Sequence, residues 1–190
     1  NSGTVIVTNS TFSAHDAVWG GSIYNYLGTV SVSDSIFSNN YAGSGVAGIH
    51  NAGTLTVSNS VFSGNISSAG GTGGIYNDQL STLTVGNSTF SDNRGWYGGG
   101  IHNAGGTVNV SNSTFSHNST HDEGGGIWST DGTLTISNST FSGNSADVGG
   151  GIANYNGQLS VGNSTLEDNV AANYGGGIAT HLIEINGDTG

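Results

Sequence analysis

The sequence predicts an all-β fold, a right-handed parallel β-helix of about seven coils of 25–26 residues with three short strands each. Three observations predict it. One phrase recurs seven times, apolar and polar residues alternate within each copy, and Asn and Gly recur at fixed places between the alternating runs.

The period is read from two anchors. The Phe of the STFS-type phrase falls at Phe12, Phe37, Phe62, Phe90, Phe115 and Phe141, with Leu166 in the seventh place. The Ile after the glycines falls at Ile23, Ile49, Ile75, Ile101, Ile127, Ile152 and Ile178, in steps of 26, 26, 26, 26, 25 and 26 residues.

Each copy is then justified strand by strand. In GTLTV, Leu55 and Val57 share one face while Thr54 and Thr56 share the other. The same alternation holds for Val30/Val32, Leu83/Val85, Val108/Val110, Leu134/Ile136 and Leu159/Val161. The second strand carries the Phe, with Val61 directed outward and Ser60 back towards the interior. The third carries the glycine-flanked Ile.

Three short strands cannot bury an apolar face alone. They can if the chain coils so that each strand lies parallel to its equivalent one turn on, about 4.8 Å away. Seven such coils make a rod about 35 Å long. Residues 1–190 read as a single solenoid domain, uncapped at both ends. Gly3 to Val7 (GTVIV) and Leu182 to Ile185 (LIEI) both have the character of core strands. The expectation is either a piece of a longer solenoid or a subunit that stacks end to end into a filament.

Asn marks the corners in three columns. The first is Asn9, Asn59, Asn87, Asn112, Asn138 and Asn163, with Asp34 substituting. The second is Asn40, Asn65, Asn93, Asn118, Asn144 and Asn169, with His15 substituting, and the third is Asn25, Asn51, Asn77, Asn103 and Asn154. Asn tolerates the left-handed conformation of a sharp bend, and stacked amides bond to the copies above and below. The first column, Asn59, Asn87, Asn112, Asn138 and Asn163, is the expected structural corner ladder.

Composition bounds the function. The chain has 35 Gly, one Arg (Arg94), and no Lys, Pro, Met or Cys. A net charge of −11 with a single guanidinium repels phosphate backbones and anionic lipid, which argues against nucleic-acid partners and membrane association. No apolar run approaches the roughly 20 residues of a membrane-spanning helix. The lack of an initiator Met suggests a processed or excised segment.

The pairing of GGGI (at Gly99, Gly149 and their equivalents) with FSxN (Phe62 to Asn65, Phe141 to Asn144) resembles the repeat of polymorphic outer-membrane proteins. That family is marked by GGA followed by Ile, Leu or Val, and by FxxN; here Gly replaces the Ala in most copies. The resemblance implies a bacterial surface protein with an extracellular β-helix. The expected function is a structural or adhesive β-solenoid, an adhesin-like passenger segment or filament subunit, extracellular or at the cell surface, and not an enzyme. The alternatives are a polysaccharide-processing β-helix enzyme that resembles pectate lyases, or an ice-binding protein. The expected partners are other copies of the chain, through end-to-end or lateral association, or surface glycans. No cofactor is expected.

The residue after each anchor Ile faces outward in this scheme. It reads Tyr24, His50, Tyr76, His102 and Trp128, then Ala153 and Ala179. Five successive rings would stack up one face, either to stabilise neighbouring strands or to offer a platform for a glycan or a neighbouring rod. A second outward line is Thr4, Thr29, Thr54, Thr82, Thr107, Thr133 and Gln158. Two residues on runs Ile6, Ser31, Thr56, Thr84, Asn109, Thr135 and Ser160. These ranks carry the ice-binding alternative.

Ionisable chemistry is sparse. Arg94 is expected to pair with Asp92, and the acids lie mostly in different corners. The densest polar corner is His121–Asp122–Glu123, where Asp122 and Asp147 fall in equivalent places and can share a Ca²⁺; the expected metal content is nevertheless none. Eight Asn-x-Ser/Thr sequons occur, with Asn65 or Asn118 as the expected glycosylation positions and Asn138 a third of the set.

Overall fold

The computed structural model describes residues 3–181. The LIEI segment lies outside them. Within them the chain contains 26 strands and no helix. All the pairings are parallel, each strand with its equivalent one coil away, as the repeat predicts.

The strands form three sheets, one of 12 strands and two of 7. The first contains the alternating runs, such as Thr82–Gly86 and Thr107–Ser111, and the second contains the Phe strands, such as Thr89–Ser91 and Thr114–Ser116. The division of the coil differs in one respect from the expected one. The Ile strands do not make a sheet of their own. Ile23–Ser33 and Ile49–Ser58 run on without a break into the alternating strand, so both ladders belong to the 12-stranded sheet. The third sheet is built instead from short strands after the second Asn column, among them Tyr41–Ala42, Ile66–Ser67 and Arg94–Gly95.

The interior is a set of ladders. Phe12, Phe37, Phe62, Phe90, Phe115 and Phe141 stack with successive ring centroids 4.7, 4.6, 4.7, 4.7 and 4.7 Å apart, and their planes lie within 5° of parallel. This is the strand spacing expressed in side chains. Around the Phe column, Ile49, Ile75, Ile101, Ile127 and Ile152 are fully buried, as are Leu55, Leu83, Val108 and Leu134. Val61 faces outward and Ser60 inward, as the alternation requires.

Polar ladders close the corners. In the second Asn column, amide Nδ2 donates to the next Oδ1 from Asn40 to Asn65 at 2.8 Å, Asn65 to Asn93 at 2.8 Å, Asn93 to Asn118 at 2.9 Å and Asn118 to Asn144 at 3.0 Å. The same Oδ1 atoms accept backbone N–H bonds, and the amides also donate to the carbonyls of the Phe column. His15 takes the column's first place through Nδ1, 3.0 Å from Asn40 Oδ1. The third column is shorter: Asn25 to Asn51, Asn51 to Asn77 and Asn77 to Asn103 at 2.7, 2.8 and 3.0 Å, after which Ser129 replaces the amide.

The first Asn column works differently from its expected role. Asn59, Asn87, Asn112, Asn138 and Asn163 all have φ of 48–50°, so they do supply the left-handed corner. Their side chains, however, are exposed, and the one side-chain bond along the column is Asn59 Nδ2 to Asp34 Oδ1 at 3.3 Å. The ladder at this corner belongs to the Ser that follows each Asn. The backbone N–H of Ser60 donates to Ser88 Oγ, Ser88 to Ser113 and Ser113 to Ser139, each at 3.1 Å. Each hydroxyl in turn donates to the carbonyl two residues back. A backbone turned left-handed points the Asn side chain outward and the next residue in.

Candidate functional site: an aromatic cleft

The residues after the anchor Ile are in register, Tyr24 beside His50, His50 beside Tyr76, Tyr76 beside His102 and His102 beside Trp128. Their ring centroids are 4.5, 4.9, 4.9 and 4.0 Å apart. The rings turn along the line. Tyr24 and His50 stack, Tyr76 meets His102 edge-on at 84°, and His102 lies nearly flat on Trp128 at 29°. The arrangement is not an open platform. Tyr24 is 51% exposed but His102 only 8%. Tyr97 covers the far end, with its ring 4.6 Å from Trp128 and 6.1 Å from His102.

The rings form one wall of a cleft of about 600 Å³. The opposite wall is the glycine-rich corner before each Ile, contributed by four successive coils: Trp19, Ser44–Val46, Gly70–Thr72 and Tyr97. This wall extends the coil stack. Val46 N–H donates to Trp19 O at 3.2 Å, Trp96 N–H to Gly71 O at 2.8 Å, and Thr72 Oγ1 to Tyr97 O at 3.0 Å. Glycine is required here by close approach. A Cβ on Gly45 would overlap the Trp19 carbonyl oxygen, and one on Gly71 the Gly45 carbonyl oxygen. Trp19 stands out from this wall, 71% exposed.

Asp78 is the one acidic residue lining the cleft. It follows Asn77 at the place that Ala52 and Ala104 fill in the adjacent coils, and it opens the turn that makes the Phe62-to-Phe90 step 28 residues long. The Gln79 N–H fixes its Oδ1 at 2.7 Å, and its Oδ2 lies 3.8 Å from His50 Nε2. Burial lowers the His50 pKa below the usual histidine value, and the Asp78 charge works against that shift. Tyr76 is raised by burial and by the same carboxylate. Burial alone lowers His102 to about 3, so its imidazole is neutral at every ordinary pH.

Three polar atoms of this wall are buried without a hydrogen-bond partner: His50 Nε2, His102 Nε2 and Trp128 Nε1. Buried polar groups are almost always paired, and leaving one unpaired costs about 1–3 kcal/mol. All three lie beneath the ring surface rather than on it, and His50 Nε2 is the one that faces the Asp78 carboxylate.

Sequence reasoning located the five rings but missed Trp19, Tyr97 and Asp78. The signal for the first two was present. VWGG (Val18–Gly21) and GWYGGG (Gly95–Gly100) place large aromatics at the corner position that Gly45 and Gly71 fill in the coils between them. Asp78 is marked only by standing where the adjacent coils hold Ala52 and Ala104, and by the lengthened coil.

The other candidate residues do not join the cleft. Arg94 does not pair with Asp92; its Nη2 lies 3.0 Å from His121 Nε2, and Trp96 packs on the same imidazole at 5.2 Å. Asp147 N–H donates to Asp122 O at 2.9 Å, so these two residues do stack. Among the described residues, no three of His, Cys, Asp or Glu gather as a metal ion would need. Tyr155 faces Glu123, whose pKa is raised by burial and by Asp122; Tyr155 is pushed up to about 12, chiefly by burial and then by Glu123. The expected glycosylation positions are corrected. Asn65 and Asn118 are fully buried with their amides bonded in the ladder, whereas the Asn138 side chain is exposed. The Thr ranks lie in register on the first sheet, with Asn109 between Thr84 and Thr135 in the second rank.

Residues 112–130 match the family model of the Chlamydia polymorphic membrane protein repeat. That stretch of the chain is similar to the repeat. The matched span runs from the left-handed Asn112 through Phe115, the ladder amide of Asn118 and the anchor Ile127 to Trp128 and Thr130, so it takes in one end of the ring stack. No curated protein and no solved structure matches the chain. The polymorphic membrane proteins are a non-enzymatic family of the outer membrane and cell surface. The expected extracellular or cell-surface localisation agrees with that family, and repeat and solenoid together support a surface-associated β-helix protein.

Proposed function

We propose that the chain is an adhesive segment of a surface β-helix and that the aromatic cleft holds a saccharide. The observation that carries this reading is the coincidence, in one cleft, of the exposed rings of Trp19 and Tyr24 with the polar side chains of Ser44, Thr72 and Asp78. Sugar rings present apolar C–H faces and hydroxyl edges. Such a ligand needs flat aromatic surface and a few placed donors or acceptors, and the cleft offers both.

Binding without turnover fits the same residues. Glycoside hydrolysis uses two carboxyl groups flanking the scissile bond, and the cleft is lined by one, Asp78. Lyase chemistry of the pectate type uses a Lys or Arg to take up the proton or to stabilise the developing negative charge, and Arg94, the chain's single Lys or Arg, is engaged with His121 outside the cleft.

Trp19 and Trp128 report occupancy directly through their fluorescence. Titration with soluble oligosaccharides, with cellohexaose and acetylated and deacetylated chito-oligosaccharides in the panel, is expected to give a saturable change for at least one. Trp19→Ala combined with Tyr76→Ser should abolish it while leaving the circular dichroism unchanged. A panel without any saturable response, or binding untouched by the double substitution, defeats the proposal.

A further inference from the structure

Resting on the saccharide reading of the same cleft, we infer that its preferred ligand is an amino sugar with a free, protonated amine held by Asp78. The charge distribution argues it. Asp78 Oδ2 is turned to the cleft wall beside His50, while Oδ1 is held by the Gln79 N–H, so one oxygen is fixed and the other is free of a full hydrogen bond. No Lys or Arg lines the cleft, and the nearest nitrogen, His50 Nε2, stands 3.8 Å from the carboxylate, beyond hydrogen-bond length.

The surrounding rings favour the same ligand. Trp19 and Tyr24 leave aromatic surface open to solvent, and such surface attracts an ammonium group as it attracts a sugar's C–H face. A chain of net charge −11 adds a long-range field of the same sign. Sulfated, phosphorylated or uronate-rich glycans meet repulsion from every one of these features. A neutral sugar can use the rings but leaves the Asp78 carboxylate without a charged partner.

Chitotriose provides matched probes, since its N-acetylated and fully deacetylated forms share ring stereochemistry and differ in the charge on nitrogen. At mildly acidic pH and low salt, the deacetylated form is expected to bind about fivefold more tightly, the advantage of one partly exposed charge pair. That advantage should shrink towards zero at about 0.5 M salt, where charges are screened over a few ångströms. Asp78→Asn should make the two affinities equal by weakening only the deacetylated form. Trp19→Ala should weaken both, which separates cleft binding from diffuse attraction to an acidic surface.

Equal or tighter binding of the acetylated form overturns the inference and leaves the saccharide reading standing. A preference that survives Asp78→Asn also overturns it, because the field of the whole chain is then responsible. Failure of both forms and of every other oligosaccharide to bind removes the saccharide reading, and this inference with it.

Discussion

The two ends of each Phe strand behave differently. Before it, the turn is nearly invariant: a left-handed Asn or Asp, then an inward Ser, at Asp34–Ser35, Asn59–Ser60, Asn87–Ser88, Asn112–Ser113 and Asn138–Ser139. After the second Asn column, the path to the next Ile varies in length and composition, carrying Trp19 in one coil, Gly70 and Gly71 in another, and Trp96 and Tyr97 in a third. The invariant side makes every buried bond twice, once upward and once downward, so a departure in one coil damages two interfaces. The variable side has to close the coil and nothing more. Its backbone still stacks, through bonds such as Trp96 N–H to Gly71 O, and close approach demands glycine at Gly45 and Gly71, but its other side chains are free to differ. The cleft lies where that freedom meets the ring column. Repetition encodes the rod, and local exceptions to repetition encode its surface.

The contrast is broken most strongly in the Phe column. Phe90 lies between Phe62 and Phe115, with ring centroids 4.7 Å away on either side. Phe90→Ala removes both stacking contacts and opens a cavity that neighbouring coils cannot collapse into, because their backbones are tied by the strand ladders. The expected loss is about 4 kcal/mol, measured by chemical denaturation.

Next comes the buried amide ladder. Asn93 accepts from Asn65 Nδ2 at 2.8 Å and from Asn65 N–H at 3.1 Å, and it donates to Asn118 Oδ1 and to Phe62 O, each at 2.9 Å. Asn93→Ala strands donors and an acceptor in a dry corner and should cost about 3 kcal/mol. Substituting Ser at the equivalent place of the third column is tolerated naturally at Ser129, which accepts from Asn103 at 3.2 Å. Asn93→Ser should therefore be milder than Asn93→Ala.

The ring column is tested by pH. His102 is buried and neutral, with its pKa lowered from 6.5 to about 3. Above pH 6.5 neither the folded nor the unfolded form is protonated at this residue, and it contributes no pH dependence. As pH falls below that value, the unfolded form takes up a proton that the folded form refuses, so stability is lost on acidification. Between about pH 7 and about pH 5 the loss is about 2 kcal/mol. His50, also lowered, acts in the same direction. Melting temperature followed over this interval should fall for the native chain and fall much less for His102→Leu. Equal slopes would mean that the imidazole is wetted.

These magnitudes also explain what was legible in the sequence. Residues whose loss damages two coils recur in nearly every coil, with departures only in the terminal ones at His15 and Leu166, so Phe62, Phe90 and Asn93 stood out as columns. The parallel solenoid followed from them. The third sheet did not, because pairs such as Arg94–Gly95 and Tyr41–Ala42 are too short to show alternation, and the Ala that recurs at Ala17, Ala42, Ala146 and Ala171 is interrupted by Ser67, Gly95 and Thr120. For the cleft, the repeating wall was legible at Tyr24, His50, Tyr76, His102 and Trp128. The opposite wall was not, since Trp19, Tyr97 and Tyr174 share one corner place but are separated by coils with Gly45, Gly71, Glu123 and Val148 there. The inward or outward sense of each Asn was hidden as well. All three columns show the same letter, and only the backbone's hand at Asn87, with φ of 50°, turns that amide into solvent while Asn93 is turned in.

That distinction yields the smallest effect and the sharpest contrast. Asn87 contributes a left-handed backbone and no ladder bond, so its role is conformational. Asn87→Ala should cost about 1 kcal/mol, the strain of placing a Cβ residue there without a local polar side chain. Asn87→Gly should lie close to the native value, because glycine meets no steric penalty at positive φ. The paired substitutions at Asn93 follow the opposite rule. There glycine is as damaging as alanine or worse, since the missing amide is what matters and glycine adds flexibility to the unfolded chain. If Asn87→Gly proved as destabilising as Asn93→Gly in the same denaturation experiment, the exposed Asn column would be bonding through its side chains after all. The separation between a corner that sets the chain's hand and a corner that ties coils together would then be lost.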